Sequence, residues 1–545
     1  MKRFYCSLLL LLSFSVTLSA QEKLPTDYLS KEFHASRRAA LRLLMPANSV
    51  TVIFAYPTRT FSKDVSYPYH QNPDLYYFSG YKEPNAVLLI FKEDQTGEGN
   101  KNYNELFFIQ KRDTLQESWT GKRMGIDKVK SQLGFDKVFT GADFKNLPLN
   151  FSKFDKILFE APVEDIADDP TDSADQYDLI KIFRQKAGIE KGFDADDEKW
   201  LGLFEQYGNM NSLHYFTENF NKKIDAGSMT KDHSFGDNLA VTDIMNISDS
   251  VTLNIVKGKI RSRKFNTVLY DQYTGTLRQV KTKEELNLVR KVVEISAQAH
   301  AETMKAIQPG MSELDLQAIQ EYVHKRYGAE WVGYPSIVGA GENGCTLHYE
   351  ENTKTNIGNE MVLMDVGAEY HGYSADVTRT VPSTGKFNPQ QKAIYDLVYK
   401  AQEAVLKLCR EGTAFDSTEN KAKQVLADGL LELGILKTRD EINKYYPHGC
   451  SHFLGLDVHD KGIYNILLAN MVITVEPGIY IPSNSACDKK WWGIAVRIED
   501  DVLITKDGYE LLSGLAPRKS EDVEKMVSQK SVLNDLVLPK LPGEK

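Results

Sequence analysis

Hydrophobic spacing in the first half of the chain predicts an α/β fold. Apolar residues recur at helical spacing over residues 31–44, where Ser30 can cap the first turn and Met45-Pro46 ends the helix. Apolar runs of strand length follow at residues 50–55, 86–91, 106–109 and 156–159. Short strands that alternate with helical segments are typical of an α/β domain.

The second half begins with two helical patterns and continues with a pair of strands. Past a predicted domain boundary at residues 273–282, helical periodicity runs from 283 to 307, and Pro309-Gly310 ends it. Ser312, with Asp315 three residues on, caps a further helix. The apolar run at residues 361–365 predicts a buried strand that ends in Asp365, and a second strand after a Gly-containing turn brings Asp376 beside it.

Two short patterns occur twice, roughly a hundred residues apart. The turn at residues 309–312 resembles the turn at 411–414, and each opens a helix. The strand that ends in Asp365 resembles residues 471–476, which end in Glu476. Matches this short also arise by chance, so the pattern alone leaves a duplication open. A duplicated unit would place Asp365 and Glu476 on opposing sides of one site.

The two neighbouring aspartates need a physical explanation. Burying one unpaired carboxylate costs several kcal/mol, and two side by side repel each other, so the pair requires a cation or a shared proton. Alternatively, both residues cap a hairpin that faces solvent.

Three later segments supply further candidate ligands. Residues 448–460 are rich in His and Gly and contain His452, and residues 475–480 place Glu476 at a strand end. Alternation over residues 495–500 puts Arg497 and Glu499 on the same strand face. Separately, His452 can be a satisfied core histidine, Glu476 a turn cap, and Arg497 with Glu499 part of a surface salt-bridge ladder. These separate alternatives are hard to sustain for all the candidates at once.

Together the candidates form a set of four carboxylates and one imidazole. Oxygen-rich donor sets suit Mn²⁺ or a related divalent ion better than a thiolate-type zinc site. Because carboxylates can bridge, two ions about 3.5–4 Å apart can share a hydroxide and make it a nucleophile at neutral pH. The sequence therefore indicates a dinuclear metal site.

Length and charge narrow the class of protein. A chain of 545 residues is too long to fold around one ordinary hydrophobic core, so two domains are expected. Its content of 42% hydrophobic and 26% charged residues is typical of a soluble globular protein. Cleavage after residue 20 would remove Lys2 and Arg3 and take the net charge from −9 to −11. An acidic chain of this kind is not expected to bind nucleic acid.

The N-terminus has the features of a secretory signal peptide. Lys2 and Arg3 precede an apolar run at residues 8–18, and Ser19-Ala20 offers a cleavage site. Export to the periplasm or the extracellular space is therefore expected. A lipoprotein anchor is not expected, because Cys6 precedes the apolar run instead of following it, so we expect no stable membrane anchor. The alternative is an uncleaved start of an intracellular protein.

Two other features are less informative. The four cysteines after the signal segment lack CxxC spacing, which disfavours a zinc or redox motif and leaves disulfide pairing open. The acidic run at residues 165–175 is interpreted as a solvated loop, because it lacks the Gly and the terminal Glu of a calcium loop.

The order of the candidate ligands resembles a known family. Asp365 with Asp376 eleven residues on, followed by His452, Glu476 and Glu499, resembles the pita-bread dinuclear metallopeptidases. The run His-Gly-Cys-Ser-His-Phe-Leu-Gly-Leu-Asp-Val-His-Asp at residues 448–460 is most similar to aminopeptidase P. Residues 339–348, Gly-Ala-Gly-Glu-Asn-Gly-Cys-Thr-Leu-His, are another close match. The resemblance covers about residues 280–525 and extends weakly to residues 64–74.

This resemblance implies a role for each candidate residue. Asp365, Asp376, His452, Glu476 and Glu499 would hold two ions, most suitably Mn²⁺, with Asp376 and Glu499 bridging them. His348 and His459 would bind the scissile carbonyl and the tetrahedral intermediate, and Glu476 would carry the proton to the leaving proline nitrogen. The residues that would line the proline pocket are His448, Tyr480 and Arg497.

The implied architecture is an α/β N-terminal domain and an α+β pita-bread catalytic domain with an internal pseudo-twofold duplication. The expected division is a signal peptide at 1–20, an aminopeptidase P-like N-terminal domain at 21–275, a catalytic domain at 276–530 and a C-terminal tail at 531–545.

The implied activity is removal of the N-terminal residue from peptides with proline at the second position, by a homo-oligomer. The alternatives are an Xaa-Pro dipeptidase, which shares every ligand, and a non-catalytic peptide-binding protein. Ser451 and the Phe-Leu-Gly-Leu pattern favour the aminopeptidase. Ala469-Asn470 departs from the Pro-Gly common in the family at this position.

Overall fold

A computed structural model describes residues 27–97, 101–161, 165–189 and 194–535. The predicted signal peptide and residues 536–545 of the predicted tail lie outside this part of the chain. Over the residues that are described, we find no helix with the length and apolar character needed to cross a bilayer. The four cysteines there are all free thiols.

The first half contains eleven described helices and ten described strands. The helices are α1 (Lys31–Leu44), α2 (Pro73–Ser79), α3 (Thr114–Thr120), α4 (Gly125–Leu133), α5 (Gly141–Asn146), α6 (Gln176–Ala187), α7 (Ala195–Tyr207), α8 (Leu213–Asp225), α9 (Val241–Met245), α10 (Ser250–Ser262) and α11 (Thr267–Gln279). The strands are β1 (Ser49–Phe54), β2 (Thr60–Ser62), β3 (Val65–Ser66), β4 (Val87–Thr96), β5 (Asn102–Ile109), β6 (Val138–Thr140), β7 (Lys156–Phe159), β8 (Ser234–Gly236), β9 (Leu239–Ala240) and β10 (Phe265–Asn266).

A mixed six-stranded sheet forms the centre of the first half. Its strand order is β10-β7-β1-β4-β5-β6, with β1 antiparallel to β4 and parallel to β7. Every residue of β1 is buried, because apolar residues pack against both faces of the sheet. Helix α1 begins where the sequence predicts, since the Ser30 hydroxyl accepts from Phe33 N at 3.1 Å. The predicted α/β class is confirmed.

Helices α7 to α10 build a separate small core beside this sheet. Phe204, Phe216 and Ile244 are buried there, and α7 packs against α11. Helix α11 runs through most of the segment where the sequence predicts a domain boundary, and the break between α11 and α12 falls at residues 280–282.

The second half contains five described helices and eleven described strands. The helices are α12 (Lys283–Ala306), α13 (Glu313–Arg326), α14 (Pro389–Leu406), α15 (Asp416–Glu432) and α16 (Ser520–Val527). The strands are β11 (Trp331–Val332), β12 (Ile337–Ala340), β13 (Met361–Asp365), β14 (Ala368–Tyr370), β15 (Tyr373–Ser374), β16 (Thr378–Pro382), β17 (Val472–Val475), β18 (Gly478–Ile481), β19 (Ile494–Arg497), β20 (Asp500–Ile504) and β21 (Tyr509–Leu511).

The second half repeats one arrangement, two helices followed by antiparallel strands. Helices α12 and α13 precede the sheet β12-β13-β16, and α14 and α15 precede the sheet β17-β20-β21. The turns before α13 and α15 both place glycine in the left-handed region, with φ of 96° at Gly310 and 86° at Gly412. A single bridge between Thr378 and Glu499 joins the two sheets, so the duplicated units meet where the candidate ligands lie.

Two local predictions need comment. The sequence predicts Asp376 on a strand, and this prediction is wrong. Asp376 lies in the irregular segment between β15 and β16. Residues 165–175 form an irregular loop, as predicted, and most of them are exposed; Asp175 at its end caps α6 by accepting from Asp178 N at 2.8 Å.

Candidate metal centre

The five predicted ligands lie together where the two sheets of the second half meet. Asp365 is the last residue of β13, and Glu476 directly follows β17, so strand ends deliver one carboxylate from each unit. Glu499 lies between β19 and β20. Oxygen and nitrogen atoms of Asp376, His452 and Glu499 lie within 4.8 Å of one another, close enough to share an ion.

Tyr334 connects the two aspartates. Its hydroxyl lies 2.5 Å from Asp365 Oδ1 and 2.6 Å from Asp376 Oδ1. A second contact, from Arg497 Nη2 to Asp365 Oδ2 at 2.5 Å, fixes the other oxygen of Asp365. The aspartates are therefore oriented by neighbouring donors as well as by the backbone.

The His452 ring is oriented as a ligand. Its Nδ1 donates to the Phe453 carbonyl at 3.0 Å, and its Nε2 points into the carboxylate cluster. There Nε2 lies 3.4 Å from Asp376 Oδ2 and 3.3 Å from Glu476 Oε1. A backbone hydrogen bond at one ring nitrogen leaves the other for a metal.

Burial and mutual repulsion act on the carboxylates. Burial, together with the charge of Asp365, raises the pKa of Asp376, and burial with the charges of Asp376 and Glu476 raises the pKa of Glu499. Burial opposes ionisation of Asp365 as well, but the charge and hydrogen bond of Arg497 lower its pKa. Burial raises the pKa of Glu476 to about 7.

These groups fit a site for divalent cations. Four largely buried carboxylates face one imidazole nitrogen, and two of the carboxyl groups are held ready by Tyr334. A cation would offset the repulsion between them, and their hard oxygen donors suit Mn²⁺, Mg²⁺ or a similar ion. The structure thus brings all five predicted ligands together.

The three residues predicted to receive proline form one hydrogen-bonded chain. Tyr480 Oη lies 2.8 Å from His448 Nε2, and Arg497 Nη1 donates to the same oxygen at 2.7 Å. His448 Nδ1 lies 3.5 Å from Glu476 Oε2, so this group adjoins the ligand cluster. Burial and the charge of Arg497 lower the pKa of His448 to about 4, which keeps the imidazole neutral.

The two remaining predicted residues lie at the open side of the site. Both His348 and His459 are exposed, and the His459 ring packs edge-on against His452 with 4.5 Å between ring centroids. His348 is near enough for its charge to affect the pKa of His448 and of His459.

Three site residues were not predicted. They are Tyr334, Thr378, which donates to Glu499 Oε2 at 2.6 Å, and Asp501, which accepts from Asp376 N at 3.0 Å. Thr378 was accessible from sequence, because it follows Asp376 by two residues and alternation favours the same face. Nothing local marks Tyr334, which precedes Asp365 by 31 residues.

Comparison with known proteins agrees with this geometry. Residues 287–506 match metallopeptidase family M24, and residues 34–156 match the aminopeptidase P N-terminal domain. An Xaa-Pro aminopeptidase of Escherichia coli strain K12 is 32% identical, over 91% of this chain and 97% of that protein. The human Xaa-Pro aminopeptidase 3 is 27% identical, over 93% of this chain and 88% of that protein.

Solved structures show the same similarity. Aminopeptidase P from E. coli with the inhibitor Pro-Leu has a TM-score of 0.69 and 31% identity, over 92% of this chain and 98% of that chain. A glutamate-to-alanine variant of the same enzyme in complex with substrate gives a TM-score of 0.68 at 30% identity, with the same coverage. Both structures span the two halves described above, and they support the pita-bread fold.

Proposed function

Since this chain belongs to metallopeptidase family M24, we propose that it is an Xaa-Pro aminopeptidase that removes the first residue from peptides with proline second. One observation carries the proposal. The hydrogen-bonded chain of His448, Tyr480 and Arg497 adjoins the ligand cluster through Glu476. A proline pocket and a metal centre side by side are what cleavage before proline requires, because the tertiary amide and fixed ring exclude such substrates from ordinary peptidases.

The proposed cofactor is a pair of divalent ions, with Mn²⁺ as the resident metal. Asp365, Asp376, His452, Glu476 and Glu499 would hold the ions, with Asp376 and Glu499 shared between them. When bound, such ions polarise the scissile carbonyl and make water a nucleophile at neutral pH. The oxygen-rich donor set supports Mn²⁺ over zinc.

The protein's own groups would divide the remaining work. Glu476 lies between His452 and His448, so its carboxylate can accept a proton from the attacking water and donate it to the proline nitrogen. His459 and His348, on the open side, would donate hydrogen bonds to the carbonyl oxygen as negative charge develops there. Arg497 and Tyr480 would orient the proline ring.

The rival activity is that of an Xaa-Pro dipeptidase. Such an enzyme needs a cation for the free carboxylate of its terminal proline. Arg497 is the cation among the residues predicted to receive proline, and its guanidinium already contacts Asp365 at 2.5 Å and Tyr480 at 2.7 Å. This commitment favours the aminopeptidase.

We further propose that the enzyme acts outside the cytoplasm and as a homo-oligomer. The charged start, the apolar run at residues 8–18 and the Ser19-Ala20 site support export. N-terminal sequencing of the protein from separated cell fractions should find Gln21 first and no full-length chain in the cytoplasm. Light scattering of the purified mature protein tests the assembly.

The decisive experiment is a product analysis. The mature protein, either Mn²⁺-loaded or chelated, receives an Xaa-Pro dipeptide and an Xaa-Pro-Xaa tripeptide together. Metal-dependent release of the first residue of the tripeptide is expected, and Asp376→Asn should abolish it while the circular dichroism spectrum stays unchanged.

The other outcomes are equally informative. Cleavage of the dipeptide alone would assign the protein to the dipeptidases. Full activity of Asp376→Asn without bound metal would reject the dinuclear site. Absence of cleavage with either peptide would favour a peptide-binding protein.

A further inference from the structure

The loop that carries His459 is held by charged residues next to it. Arg278 Nη2, on α11, lies 2.8 Å from Asp457 Oδ2 and also donates to Asp460 Oδ1. Lys281 Nζ lies 2.7 Å from the other oxygen of Asp460. Since Arg278, Lys281 and Asp460 are each 1% exposed, these ion pairs are shielded from water.

Lys461 extends this contact to the first half of the molecule. Its Nζ lies 2.8 Å from Asp74 Oδ2 and 2.8 Å from Asp271 Oδ1. Asp74 lies in the first turn of α2 and is 1% exposed. It is also bound by Arg278 at 2.7 Å and by the Tyr270 hydroxyl at 2.8 Å. The members of this group, here called the ionic cluster, are Asp74, Arg278, Lys281, Asp457, Asp460 and Lys461.

The backbone of the loop is packed as closely as its charges. A side chain at Gly455 would collide with Asp460 Oδ2 and Lys281 Nζ, so glycine is required beside the ion pair. A Cβ on Gly275 of α11 would lie 3.4 Å from Gly462 N. Glycine at position 455 therefore lets the loop pack directly against the ion pair between Asp460 and Lys281.

His459 itself lacks such support. Among the residues that the structure describes, no side chain or backbone group makes a hydrogen bond to either ring nitrogen of His459, whose ring only packs against His452. The direction of this imidazole is consequently set by the backbone on which it stands. Displacing a catalytic group by about 1 Å can cost about a hundredfold in rate.

We propose that the ionic cluster positions His459, and that Lys461 is the positioning residue through which the N-terminal half supports catalysis. The proposal rests on the function proposed above, in which His459 stabilises the transition state. Lys461 does not touch the substrate, because its ammonium points away from the site toward α2 and α11. Its effect on the reaction passes through the loop.

Steady-state kinetics of Lys461→Met on an Xaa-Pro-Xaa tripeptide give the first test. We expect kcat to fall about tenfold and KM to change less than about threefold, since misplacing His459 weakens transition-state stabilisation more than substrate binding. Lys461→Arg, which can still reach Asp74 and Asp271, should restore most of the rate. Lys506→Met, at an exposed lysine, is the matched control and should behave as the wild type.

A double-mutant cycle separates positioning from general destabilisation. In a His459→Ala background, Lys461→Met should lower kcat by less than about twofold, because the residue that it positions is already absent. An equal loss in both backgrounds would overturn the proposal, and so would an unchanged kcat in Lys461→Met alone.

Hydrogen exchange supplies a readout that does not depend on activity. At equal metal content, Lys461→Met should speed amide exchange in peptides covering residues 456–464, whereas His459→Ala should not. If the wild type cleaves no Xaa-Pro-Xaa peptide, the proposed function fails, but faster exchange would still show that Lys461 holds the loop. Unchanged exchange in Lys461→Met would reject the positioning role even in an active enzyme.

Asp271→Asn, at an exposed partner of Lys461, covers the case in which Lys461→Met does not fold, and should give a smaller change in the same direction.

Discussion

A single phenol group, that of Tyr334, holds two ligand carboxylates of the candidate centre. Its hydroxyl contacts both Asp365, at the end of β13, and Asp376, in the segment between β15 and β16. Burial, together with the charges of Asp365 and Asp376, raises the pKa of Tyr334 well above its usual value, which favours the protonated phenol as a hydrogen-bond donor. Tyr334 therefore sets the spacing of the two aspartates before any ion binds.

Replacing Tyr334 with phenylalanine should weaken metal binding without unfolding the protein. Loss of an outer partner of a metal ligand typically costs 10–100-fold in affinity or activity, and we expect about tenfold in Mn²⁺ affinity. Isothermal titration calorimetry of the metal-free protein measures the Mn²⁺ affinity. The kcat/KM at saturating Mn²⁺ measures any additional effect on the activity of the metal-loaded enzyme. Tyr322→Phe, at an exposed tyrosine of α13, serves as the control. Wild-type affinity in Tyr334→Phe would show that the backbone alone spaces the aspartates.

The contrast between Tyr334 and the five ligands shows what the sequence can reveal about a site. Ligands such as Asp365 and Glu476 carry a local signal, a carboxylate at the end of an apolar strand, and a spacing that matches a family. Tyr334 has no such signal, since its partners are 31 and 42 residues away and meet it only after the sheets form. Local patterns thus predicted the donors, and tertiary contacts supplied the groups that orient them.

At the scale of elements, capping signals predicted helices well. Ser312 and Asp315 form the predicted capping box, and α13 begins at Glu313, directly after Ser312. Loop conformations were harder to predict from the sequence than the first residues of helices. Asp376 lies between strands because Val366 and Val377 pair across the turn instead, through a 3.2 Å backbone hydrogen bond. Asn470, which departs from the family pattern, adopts a φ of 70°, a left-handed conformation that asparagine tolerates as glycine does.

Helices α1 and α2 are joined by a buried histidine. His34 is 2% exposed, and its Nδ1 donates to the Tyr77 carbonyl in the last turn of α2 at 2.9 Å. Burial lowers the pKa of His34 to about 4, with the charge of Arg38 acting in the same direction. The imidazole is consequently neutral in the folded protein at neutral pH.

This histidine should make the first half of the molecule sensitive to acid. An unfolded histidine has a pKa of about 6.5, so between that pH and about 4 the unfolded state binds more protons. The contribution of His34 is therefore complete above about pH 6.5 and declines as the pH falls, by about 3 kcal/mol in total. Urea unfolding at about pH 7 and pH 4.5 should show a smaller acid loss in His34→Gln, by about 2–3 kcal/mol.

His34→Gln is informative because it keeps a donor for the Tyr77 carbonyl and removes only the titration. Burial lowers the pKa values of His300 and His324 as well, but both residues remain in each protein, so their acid losses cancel in the comparison. Equal acid losses in the variant and the wild type would mean that the histidine charges without opening the α1–α2 contact.

On the scale of the whole molecule, the site lies where separately built units meet. Asp365 comes from the sheet β12-β13-β16, Glu476 from the sheet β17-β20-β21, and the loop of His459 is tied to α2 in the first half. The predicted duplication explains why carboxylates face each other from two strand ends. The helical core of α7 to α10 could not be assigned a role from sequence, because its apolar spacing predicts helices and marks no chemical group.

Bound metal should therefore stabilise the second half of the molecule far more than the first. Without ions, the carboxylates of Asp376 and Glu499 are left buried near one another, at the place where Thr378 and Glu499 bridge the two sheets. A ligand present at about a thousand times its Kd stabilises by about 4 kcal/mol, which corresponds to a rise of roughly 10 °C in Tm for a domain of this size. Chelation should lower the Tm by that amount and speed amide exchange in β13 and β17, while β1 and β4 exchange as before. Asp376→Asn should show the low Tm with or without Mn²⁺. A uniform change of exchange across both halves would instead indicate that the two halves unfold as one unit, with the ionic cluster around Lys461 transmitting the loss of metal to α2.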